Sequence, residues 1–120
     1  MPGILGVVAP ELEQKNIASI MRSLLHHDSY QQAQEQLLGA ALGVINLGTI
    51  ATAARGLLRH EDRYLLAFAG ELYNAQEPGH ALAPEKPATK AEHPELALRA
   101  FLRWGAAAFA RLNGVFQIAI

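Results

Sequence analysis

The chain has 120 residues, of which 51% are hydrophobic and 18% charged, with a net charge of −1 and no cysteine. This composition predicts one globular domain and excludes a disordered chain, disulfide or thiol chemistry, and the basic surface that nucleic-acid binding requires. No apolar run reaches the roughly 20 residues of a membrane helix and no signal peptide opens the chain, so we expect a cytoplasmic protein.

The first quarter of the chain predicts a strand followed by a helix. Ile4–Val8 is a short apolar run that ends before Pro10, which is typical of a buried strand. Apolar residues then recur with helical spacing and predict an amphipathic helix over about residues 10–26. The stripe consists of Ile17, Ile20, Met21, Leu24 and Leu25. Residues 26–30 break the helix, and their two adjacent histidines point in different directions, so we expect no metal there.

The middle of the chain predicts strands. Residues 31–36 are polar and rich in glutamine, and they favour no particular structure. Residues 37–50 are apolar with three interrupting glycines, which predicts one or two buried strands with close neighbours and no phosphate-binding loop. Residues 55–59 and 64–68 are separated by four polar residues and predict a hairpin, whose second strand we expect to end at Ala69-Gly70.

The last third predicts a loop, two helical segments and a strand. Prolines, a glycine and mixed charges between Ala75 and Glu92 predict a flexible loop. His93-Pro94-Glu95 is typical of a helix start, and Gly105 suits the C-terminal cap of that helix. Residues 106–112 predict a second helical segment, and residues 115–120 predict a final strand after a turn. Together these elements predict an α+β fold with an antiparallel-rich sheet and packed helices.

The end of the strand at residues 64–69 is unusually polar. Glu71, Tyr73 and Asn74 follow Gly70 almost directly. A buried strand that stops on a glycine and delivers a carboxylate is a common way to build a pocket, whereas a solvated strand end is the simpler interpretation. The residues alone leave both interpretations open.

Three segments, in order along the chain, carry motifs of a known family. They are Met1-Pro-Gly-Ile4, the stretch Glu61–Asn74 with its Gly-Glu-Leu-Tyr-Asn end, and Arg103-Trp-Gly105 followed by Leu112–Ile120. They resemble the Met-Cys-Gly-Ile, Asn-Gly-Glu-Ile-Tyr-Asn, Arg-Trp-Gly and Leu-Asp-Gly-Met-Phe-Ala-Phe-Ala segments of class II glutamine amidotransferase domains of the asparagine synthetase type. The resemblance implies part of the four-layer αββα sandwich of the N-terminal nucleophile hydrolases.

The resemblance also implies a site that is altered at four positions. The family hydrolyses glutamine with an N-terminal cysteine, and here that position is Pro2, which has no side-chain nucleophile. Asn46 stands where the family has the arginine that holds the α-carboxylate. Ala69 replaces the oxyanion-hole asparagine, and His93 replaces the aspartate that binds the α-amine.

Two site positions match the family. Gly70 corresponds to the second oxyanion donor through its backbone N–H, and Glu71 corresponds to a residue near the α-amine. We therefore expect a catalytically degenerate glutaminase-type domain of an asparagine-synthetase-like amide ligase, acting as a structural or docking module without metal or cofactor. The alternatives are an amidotransferase that supplies ammonia from glutamine, an amino-acid-binding sensor in which Glu71 reads an amine, and a tautomerase that uses the proline amine as a base.

The resemblance further implies partners for the last strand. The family's domain continues with more strands after the segment that matches residues 116–120, and a synthetase domain that uses ATP follows it. We expect a single partial domain over residues 1–120. Its last strand would be covered by the synthetase domain, by another protein or by a second copy of the chain.

Overall fold

The computed structural model describes residues 3–9, 14–47, 56–82 and 92–120. Within these ranges the elements follow one another as β1 (Gly3–Val8), α1 (Gln14–Leu24), β2 (Gln31–Leu37), β3 (Ala40–Asn46), β4 (Leu57–His60), β5 (Tyr64–Leu72), α2 (Gln76–Leu82), α3 (His93–Trp104), a 3₁₀ helix (Gly105–Arg111) and β6 (Gly114–Ala119). No helix within these ranges has the length and apolar character needed to cross a membrane.

In the described part of the chain, the strands form two antiparallel sheets of three strands each, which confirms the predicted α+β class. The first sheet has the order β1-β3-β2, with Gly3 opposite Ile45. The second sheet has the order β4-β5-β6, with Ala69 opposite Gln117. Each sheet therefore has one central strand, and the register of its neighbours decides which side chains share a face.

Side-chain alternation along the first sheet's central strand, β3, separates two layers of contacts. Ala41 and Ile45 pack against Ile17 and Met21 of α1 on one face of the sheet. Val44 is fully buried and points to the other face. A Cγ of Val44 lies 3.2 Å from the position that a Cβ would take on Gly56, at the start of β4, so this face meets the second sheet.

The central strand of the second sheet, β5, repeats this arrangement. Leu66, Phe68 and Leu72 form one buried cluster with residues of α3, among them Leu96, Ala97 and Leu98. Leu65 and Ala67 are also buried and point to the opposite face, toward the first sheet. The layers consequently run from α1 through the two sheets to α3, and the hydrophobic core is divided between the three interfaces.

The amphipathic helix predicted near the start of the chain is present, with a narrower buried stripe. Ile17 and Met21 are buried, whereas Ile20 and Leu24 lie at the border of the stripe and are about two-fifths exposed. Helix α1 approaches the sheet closely because β3 has Gly43 beneath it: a Cβ there would lie 2.5 Å from the sulfur of Met21. The predicted residues 10–13 lie outside the described part of the chain.

Two predictions of local structure need correction, and the structure assigns one stretch for which the sequence favoured no particular structure. Residues 31–36 form most of β2, because pairing with β3 leaves one face of this polar edge strand in solvent. Strand β5 does not end at Ala69-Gly70 but continues to Leu72, since β6 pairs with it along that whole stretch. Residues 76–82 form helix α2 and are not a loop. Residues 83–91 of the predicted loop lie outside the described ranges.

Helix α2 tolerates Pro78 because of where the proline stands. The helix begins at Gln76, and the backbone N–H of Glu77 donates to the carbonyl of Asn74. The first-turn N–H groups of a helix have no partner within the helix, so a proline at the third position removes no helical hydrogen bond. A proline that suggested a break in the sequence is thus compatible with the first turn.

The helix start at His93 and the cap at Gly105 are as predicted. Gly105 has φ = 59°, and its N–H donates to the carbonyl of Phe101. This positive φ, combined with ψ = −144°, suits glycine and turns the chain out of α3 into the 3₁₀ helix. The second helical segment predicted over residues 106–112 is this 3₁₀ helix.

An exposed ion-pair network joins the two sheets near their hairpin turns. Arg59 on β4 reaches Glu35 on β2 at 3.3 Å, and its Nε donates to Asp62 at 2.8 Å. The hydrogen bond to Asp62, aided by the charges of both carboxylates, raises the pKa of Arg59 above its ordinary value. Exposed pairs of this kind contribute little to stability, but the network shows that the β2–β3 and β4–β5 turns lie at the same end of the sandwich.

Candidate functional site

Both sheets bring positions of the predicted site to one end of the sandwich. Strand β1 begins there with Gly3, which pairs with Ile45 of β3. Strand β3 ends there with the next residue, Asn46. Strand β6 crosses the same region: Oε1 of Gln117 lies 3.5 Å from the position that a Cβ would take on Gly3. Gln117 is paired with Ala69. Pro2 directly precedes Gly3 in the sequence and lies outside the described residues.

Ala69 stands on the face of β5 that looks toward the first sheet. It lies on the same face as Leu65 and Ala67, which are buried, and it is half-buried itself. A methyl group offers no hydrogen-bond donor. At this place the site therefore has an apolar surface where the resemblance implies an amide.

Gln117 is a residue of this site that the sequence prediction missed. It is the cross-strand partner of Ala69, so its side chain lies on the same face, and it is exposed. Its carboxamide can both donate and accept hydrogen bonds. A glutamine in a segment whose resembled motif has alanine was a visible signal in the sequence, but only the strand register shows that this amide lies beside Ala69.

Gly70 is required by the packing of β5 on β6. Its φ is 124°, which side chains rarely adopt. A Cβ at this position would lie 2.2 Å from the carbonyl oxygen of Val115 and 2.6 Å from the Cα of Phe116. The structure thus explains the glycine by a close approach of two backbones, without reference to catalysis.

The backbone around Gly70 also leaves one edge of β5 without a strand among the described residues. Strand β4 stops at Leu57, opposite Ala67, while β6 continues on the other side. The N–H of Leu72 points to this edge, since it donates to His93 of α3, whereas the N–H of Tyr73 points the other way and donates to the carbonyl of Asn113, directly before β6. Alternation along the ladder places the N–H of Gly70 on the same edge. Glu71, half-buried, follows on the face of Ala69.

His93 lies in the core and holds the end of β5. Its side chain is only 4% exposed, and its Nδ1 accepts a hydrogen bond of 3.1 Å from the backbone N–H of Leu72. A ring nitrogen that accepts carries no proton, so the proton of the neutral ring is on Nε2. The resemblance assigned this position to the binding of an amine, whereas the structure gives it a contact with the sheet.

Comparison with known proteins supports the resemblance at the level of the domain. The family model described as a glutamine amidotransferase domain matches residues 1–120. The chain belongs to the glutamine amidotransferase domain family. A search of curated proteins found no match.

The 120 residues of this glutamine amidotransferase domain contain no cysteine, so they provide no thiol nucleophile. In the described ranges, no group of three or more histidine, aspartate or glutamate residues is arranged to hold a metal ion. The polar groups that the described residues bring to this end of the sandwich include the amide of Gln117, the backbone N–H of Gly70 and the carboxylate of Glu71, which already has a partner. This set can bind a small polar molecule, and none of its members is a nucleophile.

The Tyr-Asn end of the domain's central motif is structural. The N–H of Tyr73 donates to the carbonyl of Asn113 at 2.7 Å. The side chain of Asn74 accepts a hydrogen bond of 2.7 Å from the N–H of Asn113 and donates one of 2.8 Å to the carbonyl of Arg111. Asn74 therefore fastens the end of β5 to the turn that leads into β6.

We expect Asn74→Ala to lower the free energy of unfolding by about 1–3 kcal/mol, because it removes both side-chain hydrogen bonds and leaves a backbone N–H without its acceptor. Urea unfolding followed by circular dichroism measures the change. Asn113→Ala is the matched control, since Asn113 uses only its backbone in these bonds. If the two variants lose equal stability, the side chain of Asn74 does not have this role.

Proposed function

We propose that this glutamine amidotransferase domain is of the asparagine synthetase type, has lost glutamine hydrolysis, and serves in the cytoplasm as a structural or docking module for the synthetase domain of an amide ligase. The observation that carries the proposal is Pro2, which stands at the position of the family's N-terminal cysteine in a chain that contains no cysteine. The family model over residues 1–120 supports the type of domain. The choice of parent enzyme depends on the motifs that resemble the asparagine synthetase type, Gly-Glu-Leu-Tyr-Asn at residues 70–74 and Arg-Trp-Gly at residues 103–105.

The missing nucleophile removes the covalent step. In the family, the α-amine of the first residue acts as the base, the cysteine sulfur attacks the carboxamide of glutamine, and a glutamyl thioester forms as ammonia leaves. A residue can take this part only if it has a side-chain thiol or hydroxyl. An N-terminal Pro2 has an amine but no such group, so no acyl-enzyme can form on it.

The altered binding positions would weaken catalysis even with a nucleophile present. Ala69 cannot donate to an oxyanion, and the loss of one such donor costs about 100- to 1,000-fold in rate. Asn46 is a neutral amide and cannot form the bidentate, charge-assisted pair of an arginine with a carboxylate. These two changes act on different parts of the reaction, and a restored cysteine would compensate for neither.

The retained motif residues agree with a lost activity. Gly70 is needed where β5 and β6 approach each other, and Asn74 ties β5 to the following turn. Selection for the fold alone would keep both residues. Their presence is therefore no argument for hydrolysis.

The test is an assay for ammonia and glutamate released from glutamine by the whole chain, after intact mass has confirmed that Met1 is removed. We expect no release by the unmodified protein and none by Pro2→Cys, because Ala69 and Asn46 are also altered. A domain of this family that retains its cysteine is the positive control. Ammonia from the unmodified protein would refute the proposal and support an amidotransferase that supplies ammonia for asparagine synthesis.

A second candidate, a small amino-acid-binding sensor, is favoured by one specific observation. Gln117 has an exposed carboxamide beside Ala69, on the face that Ala69 shares with Glu71. The N–H of Gly70 lies at the nearby edge of β5. A polar amino acid could use these groups without being hydrolysed. Titration with glutamine, asparagine and glutamate should then produce saturable NMR shifts of the Gly70 and Glu71 amides, and a flat titration would dismiss the sensor.

A further inference from the structure

One cavity of the molecule is lined by residues that lie between the strands. Its walls come from α2, from the end of α3 and from the segment that joins the 3₁₀ helix to β6. Its volume is about 320 Å³, at the lower end of the roughly 300–1,000 Å³ that is typical of small-molecule sites. The walls contain none of the site positions that the resemblance implies, so this cavity, which we call the α2 cavity, is a separate place on the molecule.

The α2 cavity contains a cation that is held in place. The guanidinium carbon of Arg111 lies over the ring of Trp104, 4.7 Å from the ring centroid, and both residues line the cavity. A guanidinium group that stacks on an indole keeps the N–H groups at its edge free to donate, and it loses less side-chain entropy when a ligand binds. Paired N–H groups match the two oxygens of a carboxylate, so this wall fits the anionic end of a ligand.

The opposite charge of the α2 cavity is on helix α2. Glu77 lines the cavity together with Arg111. In the part of the chain that the structure describes, neither residue belongs to an ion pair, so the two charges share one cavity without contacting each other. A molecule with one anionic and one cationic group can contact both side chains. A phosphate or a dicarboxylate brings no cation for Glu77 and is repelled by it.

The remaining walls of the α2 cavity are apolar and are held in place before any ligand binds. Pro78 and Leu112 are buried residues of the lining. The side chain of Asn74 donates to the carbonyl of Arg111 and accepts from the N–H of Asn113, so it fixes the segment that carries the cation. A site that is already ordered loses less entropy on binding than one that has to fold around its ligand.

We propose that the α2 cavity binds a free α-amino acid with an apolar side chain. Its carboxylate contacts Arg111 and the exposed side chain of Asn113, its ammonium group contacts Glu77, and its side chain packs against Pro78 and Leu112. An α-amino acid carries both charges and an apolar group in a molecule small enough for this volume. Binding makes and breaks no covalent bond, and it is independent of whether the domain hydrolyses glutamine.

The test uses the tryptophan of the cavity as the reporter. Trp104 is the single tryptophan of the chain, so the tryptophan fluorescence of the whole 120-residue protein reports on this cavity. We expect L-leucine to change it in a saturable way. Isocaproate, which is leucine without its amine, and isoamylamine, which is leucine without its carboxylate, should each bind about tenfold more weakly or less well still. Inorganic phosphate should not bind.

Two arginines on the same ring provide a matched pair of variants. Arg111→Gln should raise the dissociation constant of leucine about tenfold or more. Arg103→Gln is the control, because Arg103 lies 6.0 Å from the centroid of the same ring but does not line the cavity; it should leave the dissociation constant unchanged. Calorimetry gives both constants without relying on the ring, and circular dichroism verifies that the variants fold.

Glu77→Gln tests the other end of the ligand. It should weaken the binding of leucine and leave that of isocaproate unchanged, because only leucine has an ammonium group for Glu77. A flat titration with leucine, equal affinities for leucine and phosphate, or equal losses in Arg103→Gln and Arg111→Gln would each overturn the proposal. Shifts confined to the Gly70 and Glu71 amides would place the ligand in the candidate site and also overturn it.

Discussion

Alanine at position 70 is expected to lower the free energy of unfolding by about 4 kcal/mol, a large part of the 5–15 kcal/mol that typically stabilises a domain. A Cβ there would lie 2.2 Å from the carbonyl oxygen of Val115. The obstacle is backbone and cannot rotate away, so β5 and β6 have to separate. The φ of 124° adds strain for any residue with a side chain. Urea unfolding and the yield of folded protein measure the effect.

Gly105→Ala is the control for that substitution. Gly105 also has a positive φ, of 59°, but a Cβ there would meet nothing within 4 Å. We expect a smaller loss of about 1–3 kcal/mol, because φ = 59° with ψ = −144° strains any residue with a side chain while no atom obstructs the added Cβ. Equal losses at the two positions would mean that the close approach of β5 and β6 does not determine the identity of Gly70, and the argument that the fold retains this glycine would fail.

His93→Ala is expected to lower the free energy of unfolding by about 2–4 kcal/mol. The substitution leaves a cavity where a ring is 96% buried, and it removes the acceptor of the Leu72 N–H at the end of β5. Chemical unfolding gives the magnitude. Amide hydrogen exchange of Leu72 gives the location, and we expect faster exchange there than at the β4–β5 pairs.

His93→Asn separates the two contributions. The Oδ1 of asparagine can stand close to the position of Nδ1 and accept the same hydrogen bond, while the rest of the ring is lost. The asparagine variant should therefore keep part of the protection of Leu72 and lose less stability than the alanine variant. If alanine at position 93 leaves stability unchanged and alters only ligand binding, His93 belongs to a pocket and not to the core.

The positions of the altered site differ in how strongly the stability of the fold constrains them. A residue that holds a strand end, as His93 does, and a residue that allows two strands to meet, as Gly70 does, are both constrained by stability. If hydrolysis is no longer selected, as we propose, positions without such a constraint, such as Ala69 on its apolar face, are free to change. The proposed loss of glutaminase activity depends on these positions and on Pro2.

Several features of this protein follow from the sequence by itself. The strand near the N-terminus, the amphipathic helix after it, the hairpin of residues 55–59 and 64–68 and the Gly105 cap arise from patterns within short segments, so local physical rules predict them. The burial predicted for the first strand is wrong, because β1 is an edge strand of its sheet and none of its residues is fully buried. The absence of a thiol is a matter of composition. The family assignment rests on motifs that can be read in order along the chain.

Other features were decided only by the tertiary structure. The polar residues 31–36 became a strand because β3 offered an edge to pair with, and the strand through Gly70 continued because β6 lies beside it. The neighbourhood of Ala69 and Gln117, and the convergence of Glu77 and Arg111 on one cavity, depend on contacts between distant parts of the chain. Hydrophobic periodicity reports which face of an element is buried. It does not report the register or the partner that buries it, because those are set by the packing of whole sheets.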